Sequence, residues 1–300
     1  MPSIIISSVS ESKGKSALAA AIISRLRYDS VSVRSVADTG ELFVDDDGVE
    51  QVAIGHIEPS GSSVSVIEGA TGDPEADFTV AEEIDANVIL LAGIDDDVNE
   101  AVKVLGDRLA GVILNKVARY RDVHADRVVE SLTKDGINCI GWIPEDRRLA
   151  ASTVDTLIDH LGGDLAFAID TTAELVDNVL IGGLVLDWGP FYFRSQDNTC
   201  VVVRAGRPDV QISALQSDTT RAMVLTGGEK PIDYVFYEAR TKRIPLIMVG
   251  GDTESTMNAL DEMEPTGFSH PEKLSRFSQL LSERSIIDPV LDLVAQPPTR

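Results

Sequence analysis

IIISSVSESKGKSALAAA, residues Ile4 to Ala21, reads as a short buried strand, a loop dense in serine and glycine, and a helix of strong helix formers. Ile4, Ile5 and Ile6 are a β-branched run without polar alternation, which suits a strand covered on both faces in the interior of a parallel sheet. The loop closes on Gly14-Lys15-Ser16, the last three positions of a phosphate-binding loop, and the helix begins at once. Helix amides, the N-terminal dipole and the Lys15 ammonium can then converge on a phosphate, with the Ser16 hydroxyl free for a magnesium ion. The full pattern G-x-x-x-x-G-K-[ST] asks for glycine at position 9, where this chain has Val9. Lys13 is a further phosphate contact or a solvated loop lysine.

Around that stretch, 300 residues suffice for two domains of ordinary size, each with its own core. Hydrophobic residues make up 43%, as expected of a folded globular chain. No apolar run approaches the roughly 18 residues of a membrane span. MPSIII lacks the basic region and cleavage site of a signal peptide, so a cytoplasmic location is expected. Cys139 and Cys200 stand far apart with no C-x-x-C, which favours buried free thiols over a disulfide or metal site. Acidic residues number 49 against 26 basic, a net charge of −23 spread along the chain. Such a field repels nucleic acid and anionic membranes. Only eight of the basic residues are lysines, and screening at high internal salt would remove the self-repulsion, so a halophilic, archaeal source is inferred.

Strands alternate with helices along the chain. Strands are expected at Ser30–Val36, Ser63–Ile67, Val88–Ala92, Gly111–Leu114 and Cys139–Trp142, with helices over Asp73–Ile84, Val98–Leu109 and Asp122–Lys134 and an exposed loop over Asp38–Val49. That alternation predicts an α/β fold with a doubly wound parallel sheet. Asp146–Gly163 reads as a helical connection ending in the double glycine Gly162-Gly163, giving expected domains 1–162 and 163–300. In the second, a helix is expected near Thr172–Leu180, strands at Cys200–Arg204, Ala222–Leu225 and Leu246–Val249, helices at Asp209–Gln216, Ile232–Lys242 and Thr253–Glu262, and one helix after His270. Glu68 stands just beyond a strand's C-terminal end, where open α/β sheets bind ligands, and also suits a helix-capping acid. Asn115 can bind a ligand or close a turn. Gly227-Gly228 serves a tight turn or the close approach of a ligand. The aromatic cluster Trp188–Phe193 is core or a dimer contact before it is a ligand cage. The four histidines are scattered and read as surface residues.

Four segments of the first half then resemble a known family: Ser8–Ser16, Val66-Ile67-Glu68-Gly69, Leu109–Lys116 (LAGVILNK) and Ile140-Gly141-Trp142-Ile143-Pro144. In the second half the likeness is carried by Arg207-Pro208-Asp209-Val210, Met223–Gly228 (MVLTGG) and Ile244–Val249 (IPLIMV). In this order they resemble the non-catalytic N-terminal half of long bacterial phosphate acetyltransferases, the phosphotransacetylase family. There a dethiobiotin synthetase-like P-loop domain precedes a DRTGG domain. The catalytic acetyltransferase domain of that family would follow the second module. The resemblance implies that Gly14, Lys15, Ser16 and Asn115, with Lys13, contact an adenine nucleotide, ATP or ADP, and that Ser16 and Glu68 hold Mg2+. Ser10 replaces the aspartate of dethiobiotin synthetases, which weighs against ligase chemistry. It also replaces the signature lysine of deviant-Walker switch ATPases, which weighs against their dimer-sandwich mechanism.

Three functions follow. A regulatory or sensor protein would bind adenine nucleotide and magnesium in its first domain and contact a metabolic enzyme of acetyl-CoA metabolism, or a second copy of itself, through its second. An ATP-dependent ligase or nucleotide hydrolase would use Lys15, Ser16 and Glu68, with no general base identified and its catalytic residues unknown. A scaffold would keep the loop without its ligand. An even-numbered homo-oligomer is expected.

Overall fold

A computed structural model describes residues 3–11, 14–25, 31–35, 64–183, 188–263, 267–268 and 270–295. Lys13, His56 and the Asp38–Val49 segment lie outside them. Two compact units are present, one of residues 1–146 with 271–300 and one of residues 147–270, and the chain is α/β in both.

The first unit holds a parallel sheet of β1 (Ser3–Ser8), β2 (Val31–Ser35), β3 (Val64–Thr71), β4 (Asn87–Ala92), β5 (Leu109–Val117) and β6 (Cys139–Pro144). They lie in the order β2-β3-β1-β4-β5-β6. β1 is fully buried, and its side chains alternate between faces. Ile5 joins Ile67, Val88, Leu90, Val112 and Leu114 under α2 (Pro74–Ile84), α3 (Asn99–Leu105) and α4 (Asp122–Lys134). Ile4 and Ile6 face the other side, where α1 (Lys15–Arg25) packs with buried Leu18 and Ile22. Each isoleucine so enclosed contributes about 1.5–3 kcal/mol of burial. α2 starts cleanly because the Asp73 carboxylate accepts from the Ala76 amide at 3.0 Å and Pro74 opens the first turn.

The sheet order sets where the loop after β1 lies. From β1 the chain runs through α1 to one side, to β2, whereas β3 returns through α2 to β4 on the other side of β1. Connections diverging from a central strand leave a crevice at the strands' C-terminal ends, and the loop after β1 sits there.

The second unit holds β7 (Ser152–Thr153), α5 (Val154–Leu161), β8 (Asp164–Leu165), β9 (Leu175–Val176), β10 (Asn178–Ile181), α6 (Gly189–Phe193), β11 (Thr199–Arg204), α7 (Pro208–Leu215), β12 (Thr220–Thr226), α8 (Asp233–Thr241), β13 (Leu246–Met248) and α9 (Thr253–Asp261). Its sheet runs β10-β11-β12-β13-β8, parallel except for the edge strand β8. Side chains of α6, α7 and α8 cover one face and those of α5 and α9 the other.

Three expectations change. Thr172–Leu180 is not a helix: Leu175 and Val176 pair antiparallel with β7, and Asn178 to Ile181 pair with β11, so strand partners override a locally ambiguous pattern. The segment after His270 forms two helices, α10 (Pro271–Glu283) and α11 (Ile287–Ala295), because Ser285 takes a left-handed φ of 55° between them. The units also differ from the expected 1–162 and 163–300. Gly162 is the left-handed C-cap of α5, a helix that buries Val154 and Leu157 against the second sheet. α10 and α11 pack on α1 and so belong to the first unit.

Candidate functional site

At the crevice, the loop after β1 is tied down on two sides. The Val9 amide donates to the Leu91 carbonyl of β4 at 3.2 Å, and the Gly72 amide donates to the Ser8 carbonyl at 3.2 Å. Gly14 has φ +91°, a backbone conformation that favours glycine. A Cβ there would stand 2.6 Å from Asn115 Nδ2, so the loop lies directly against Asn115. α1 then begins, with the Leu18 amide donating to the Gly14 carbonyl.

Five of the residues expected from the sequence to hold nucleotide and metal come together here. Ser16 Oγ donates to Glu68 Oε2 at 2.8 Å, and Lys15 Nζ donates to Thr71 Oγ1 at 3.0 Å. Gly14 and Asn115 meet across the loop as described. Asn115 also closes a turn: its Oδ1 accepts from the Lys116 amide at 2.8 Å, at an irregular point of β5 where Lys116 has φ +56°.

Burial shapes the charges. Desolvation lowers the Lys15 pKa, opposed by the attraction of Asp77 and Glu68. Desolvation raises the Glu68 pKa, opposed by the Ser16 hydrogen bond and Lys15. Asp77, which is fully buried, is pushed up to about 6 by desolvation, although the Ser7 hydroxyl, the Ala70 amide and Lys15 all favour its anion. Asp77 Oδ1 accepts from the Ala70 amide at 2.7 Å. Asp77 Oδ2 has no hydrogen-bond partner other than the Ser7 hydroxyl that faces it.

Asp77, Thr71 and Ser7 were not singled out from the sequence. The signal for Asp77 was present: Asp77, Val80 and Ala81 share one face of α2 at spacings of three and four residues, and that face is the buried one. An acid on the apolar face of a helix marks a buried charge.

Ser16 and Glu68 are a hydroxyl and a carboxylate, the hard oxygen donors that magnesium takes, and the ion ordinarily completes its shell with water and phosphate oxygens. No group of three or more His, Cys, Asp or Glu side chains able to hold a metal occurs among the described residues. The donor set thus fits a cation that arrives with a phosphate ligand and does not fit a self-sufficient metal cage.

The corresponding edge of the second unit is closed on itself. Gly227 and Gly228, with φ +97° and +72°, form a tight turn whose amides donate to the Gly251 and Val249 carbonyls at 2.8 and 3.0 Å. Asp252 caps α9 through the Ser255 amide at 2.8 Å. The aromatic cluster divides: Phe193 is fully buried, whereas Trp188 and Phe191 are 69% and 74% exposed. Cys139 and Cys200 are free thiols, and burial pushes the Cys200 pKa up to about 12. His124 and His160 are exposed.

Residues 156–263, inside the second unit, match the DRTGG domain family. A DRTGG domain is therefore present. Among solved structures, the CBS and DRTGG domains of the regulatory region of Clostridium perfringens pyrophosphatase, complexed with the activator diadenosine tetraphosphate, are similar at 13% identity with a TM-score of 0.32. The match covers 42% of this chain and 54% of that one, so the chain spans about half the length of the protein it matches. In the DRTGG domain the Thr226-Gly227-Gly228 turn follows β12, and no helix among the described residues of the whole chain is long and apolar enough to cross a membrane.

Proposed function

We propose that the first unit binds an adenine nucleotide together with magnesium, and that the chain is a nucleotide-responsive regulatory protein in which the DRTGG domain carries the contact with a second copy or with a metabolic enzyme. The observation that supports this most is the pairing of Ser16 Oγ with Glu68 Oε2 at 2.8 Å, beside Lys15, at the mouth of the crevice. A hydroxyl and a carboxylate already in register need little reorganisation to take a cation between them. Lys15, released from Thr71, is within reach of a phosphate held by the Gly14 loop and the first turn of α1. Magnesium, when bound, supplies positive charge against the phosphate oxygens. Asn115, against Gly14, lines the side of the loop where the base would lie.

The resemblance of the quoted segments to phosphate acetyltransferases supports a role near acetyl-CoA metabolism in the cytoplasm, and the net charge of −23 supports a halophilic, archaeal source. A regulatory role is preferred to ligase or hydrolase chemistry because Ser10 stands where ligases carry aspartate. Asp77, the one strongly perturbed acid at the site, is enclosed behind the loop and unable to reach a reacting water.

Calorimetric titration with ATP, ADP and GTP plus magnesium, in molar potassium chloride, tests the reading. Adenine nucleotides should bind in the micromolar range and Lys15→Ala should weaken them by about 30-fold or more. Absence of heat with all three nucleotides would remove the proposal and leave the scaffold reading, and steady turnover lost in Lys15→Ala would favour the enzyme.

A further inference from the structure

At the end of the second sheet opposite the Thr226-Gly227-Gly228 turn, a cavity of about 380 Å3 opens where β12 and β13 begin. Three of its seven lining residues are cationic and one is an acid, whereas the whole chain carries 26 basic and 49 acidic residues. The three cations come from two connections: Arg221 from the start of β12, and Lys242 and Arg243 from the link between α8 and β13. Backbone carbonyls anchor two of them. Lys242 Nζ donates to the Leu215 carbonyl at 2.7 Å and Arg221 Nη1 to the Asp218 carbonyl at 3.0 Å. An ammonium has three N–H groups and a guanidinium five, so both heads have donors beyond these bonds. Arg243 takes a left-handed φ of 58°, and its carbonyl accepts from the Thr171 hydroxyl at 3.1 Å.

The acids nearby are loosely engaged. Glu174 lies 4.0 Å from Arg221, and Asp170 pairs with Arg243 where both side chains are exposed. Asp218 and Asp177 have cations of their own in Arg194 and Arg148. Exposed pairs of single charges contribute little, so a more highly charged anion displaces them at small cost. A phosphate group carries about 1.5 to 2 negative charges and three acceptor oxygens, against one charge on each carboxylate. We propose that this cavity is an anion site of the DRTGG domain that takes the phosphate of a small phosphorylated molecule, separate from the nucleotide cleft of the first unit. The phosphate replaces Glu174 at Arg221 and Asp170 at Arg243, and Lys242 adds a third charge-assisted bond. The volume lies within the range of about 300–1,000 Å3 found for small-ligand sites. The site is independent of nucleotide binding in the first unit.

The test is calorimetric titration of the full chain with inorganic pyrophosphate and, in parallel, with citrate, at pH 8 and one salt concentration. Every protein carries Lys15→Ala, which disables the phosphate loop of the first unit, so any binding seen belongs elsewhere. Pyrophosphate should bind this parent, and adding Arg221→Gln or Arg243→Gly should weaken it about tenfold each. A left-handed position favours glycine, so Arg243→Gly should melt no lower than the parent, and its loss of affinity then reports the guanidinium and not the fold. Citrate should bind about tenfold more weakly than pyrophosphate, since its charges are spread over three separate arms. Absence of pyrophosphate binding in the parent overturns the proposal. Unchanged affinity in Arg243→Gly also overturns it, even where Arg221→Gln loses affinity together with melting temperature, because that pattern traces the effect to packing. Citrate binding as tightly as pyrophosphate would overturn the assignment to phosphate and make the ligand a polycarboxylate.

Discussion

The two sheets of this chain are built alike and end differently. Both place parallel strands under layers of helices, but in the first the connections diverge from β1, and in the DRTGG domain β10, β11, β12 and β13 follow one another in a single direction. Divergence from one strand is the arrangement in which open α/β sheets bind ligands at the strands' C-terminal ends, and the first sheet has it. At the first edge the fully buried Asp77 acts on the partly buried Lys15, which Glu68 also attracts. At the second edge the turn amides are spent on neighbouring carbonyls, and the acid there, Asp252, lies at the surface as a helix cap. Strand order, more than loop composition, distinguishes the two edges.

The hardest strain on this contrast comes from Gly69→Ala. The new Cβ would stand 2.5 Å from both oxygens of Asp77, whose carboxylate is fixed by the Ala70 amide and has no solvent to move into. Either the Glu68 turn or the start of α2 has to shift, and a destabilisation of about 3 kcal/mol is expected in urea denaturation. The double variant Gly69→Ala/Asp77→Ala should recover part of that loss, giving a coupling of about 1 kcal/mol or more. Strict additivity would mean that the contact seen between these two residues does not govern the turn.

A smaller effect isolates the buried charge. The folded pKa of Asp77, about 6, lies above its value of 3.8 in an unfolded chain, so the native state favours the neutral acid. Its contribution is least unfavourable below about pH 4, worsens as pH rises through the window from about 4 to 6, and is constant above it. Glu68, also raised, acts in the same direction, while Asp97, Asp209 and Asp252, lowered by their hydrogen bonds, act in the opposite one. The whole-protein profile mixes these, so the difference between wild type and Asp77→Asn is the informative quantity. Asp77→Asn should gain about 1–3 kcal/mol over the wild type between pH 4 and pH 7. A difference that stays flat across this window would place the carboxylate in a better solvated setting than the structure gives it.

Much of the fold could be read from periodicity. The triple isoleucine of β1, the apolar run of β4 and the helix α4 stand where the sequence put them, because long buried strands and strongly amphipathic helices carry their own signal. Thr172–Leu180 was misread because two short strands separated by Asp177 look helical until their partners β7 and β11 are known. The C-terminal helices were assigned to the wrong unit for a similar reason: nothing in their sequence names α1 as the surface they cover. At the site, Gly14-Lys15-Ser16 and Glu68 were readable as motif positions. Asp77 was legible only as an acid on the apolar face of α2, since its contact with the space left by the missing Cβ of Gly69 joins two elements and exists only once the chain is folded.

The smallest effect tests the quieter edge. Gly227 has φ +97°, so alanine there pays a conformational penalty of about 1–2 kcal/mol, and nothing lies within 4 Å of the added Cβ to enlarge it. Gly227→Ala should therefore lower the stability of the DRTGG domain modestly while leaving adenine-nucleotide affinity at the first unit unchanged. The open space around that Cβ is what a turn facing solvent gives, and the amide bond from Gly227 to the Gly251 carbonyl shows where the turn's hydrogen bonding goes. Loss of nucleotide binding in Gly227→Ala would break the contrast at its root. The ligand would then depend on the edge whose turns are laced together, and strand divergence in the first sheet would no longer explain where this chain keeps its site.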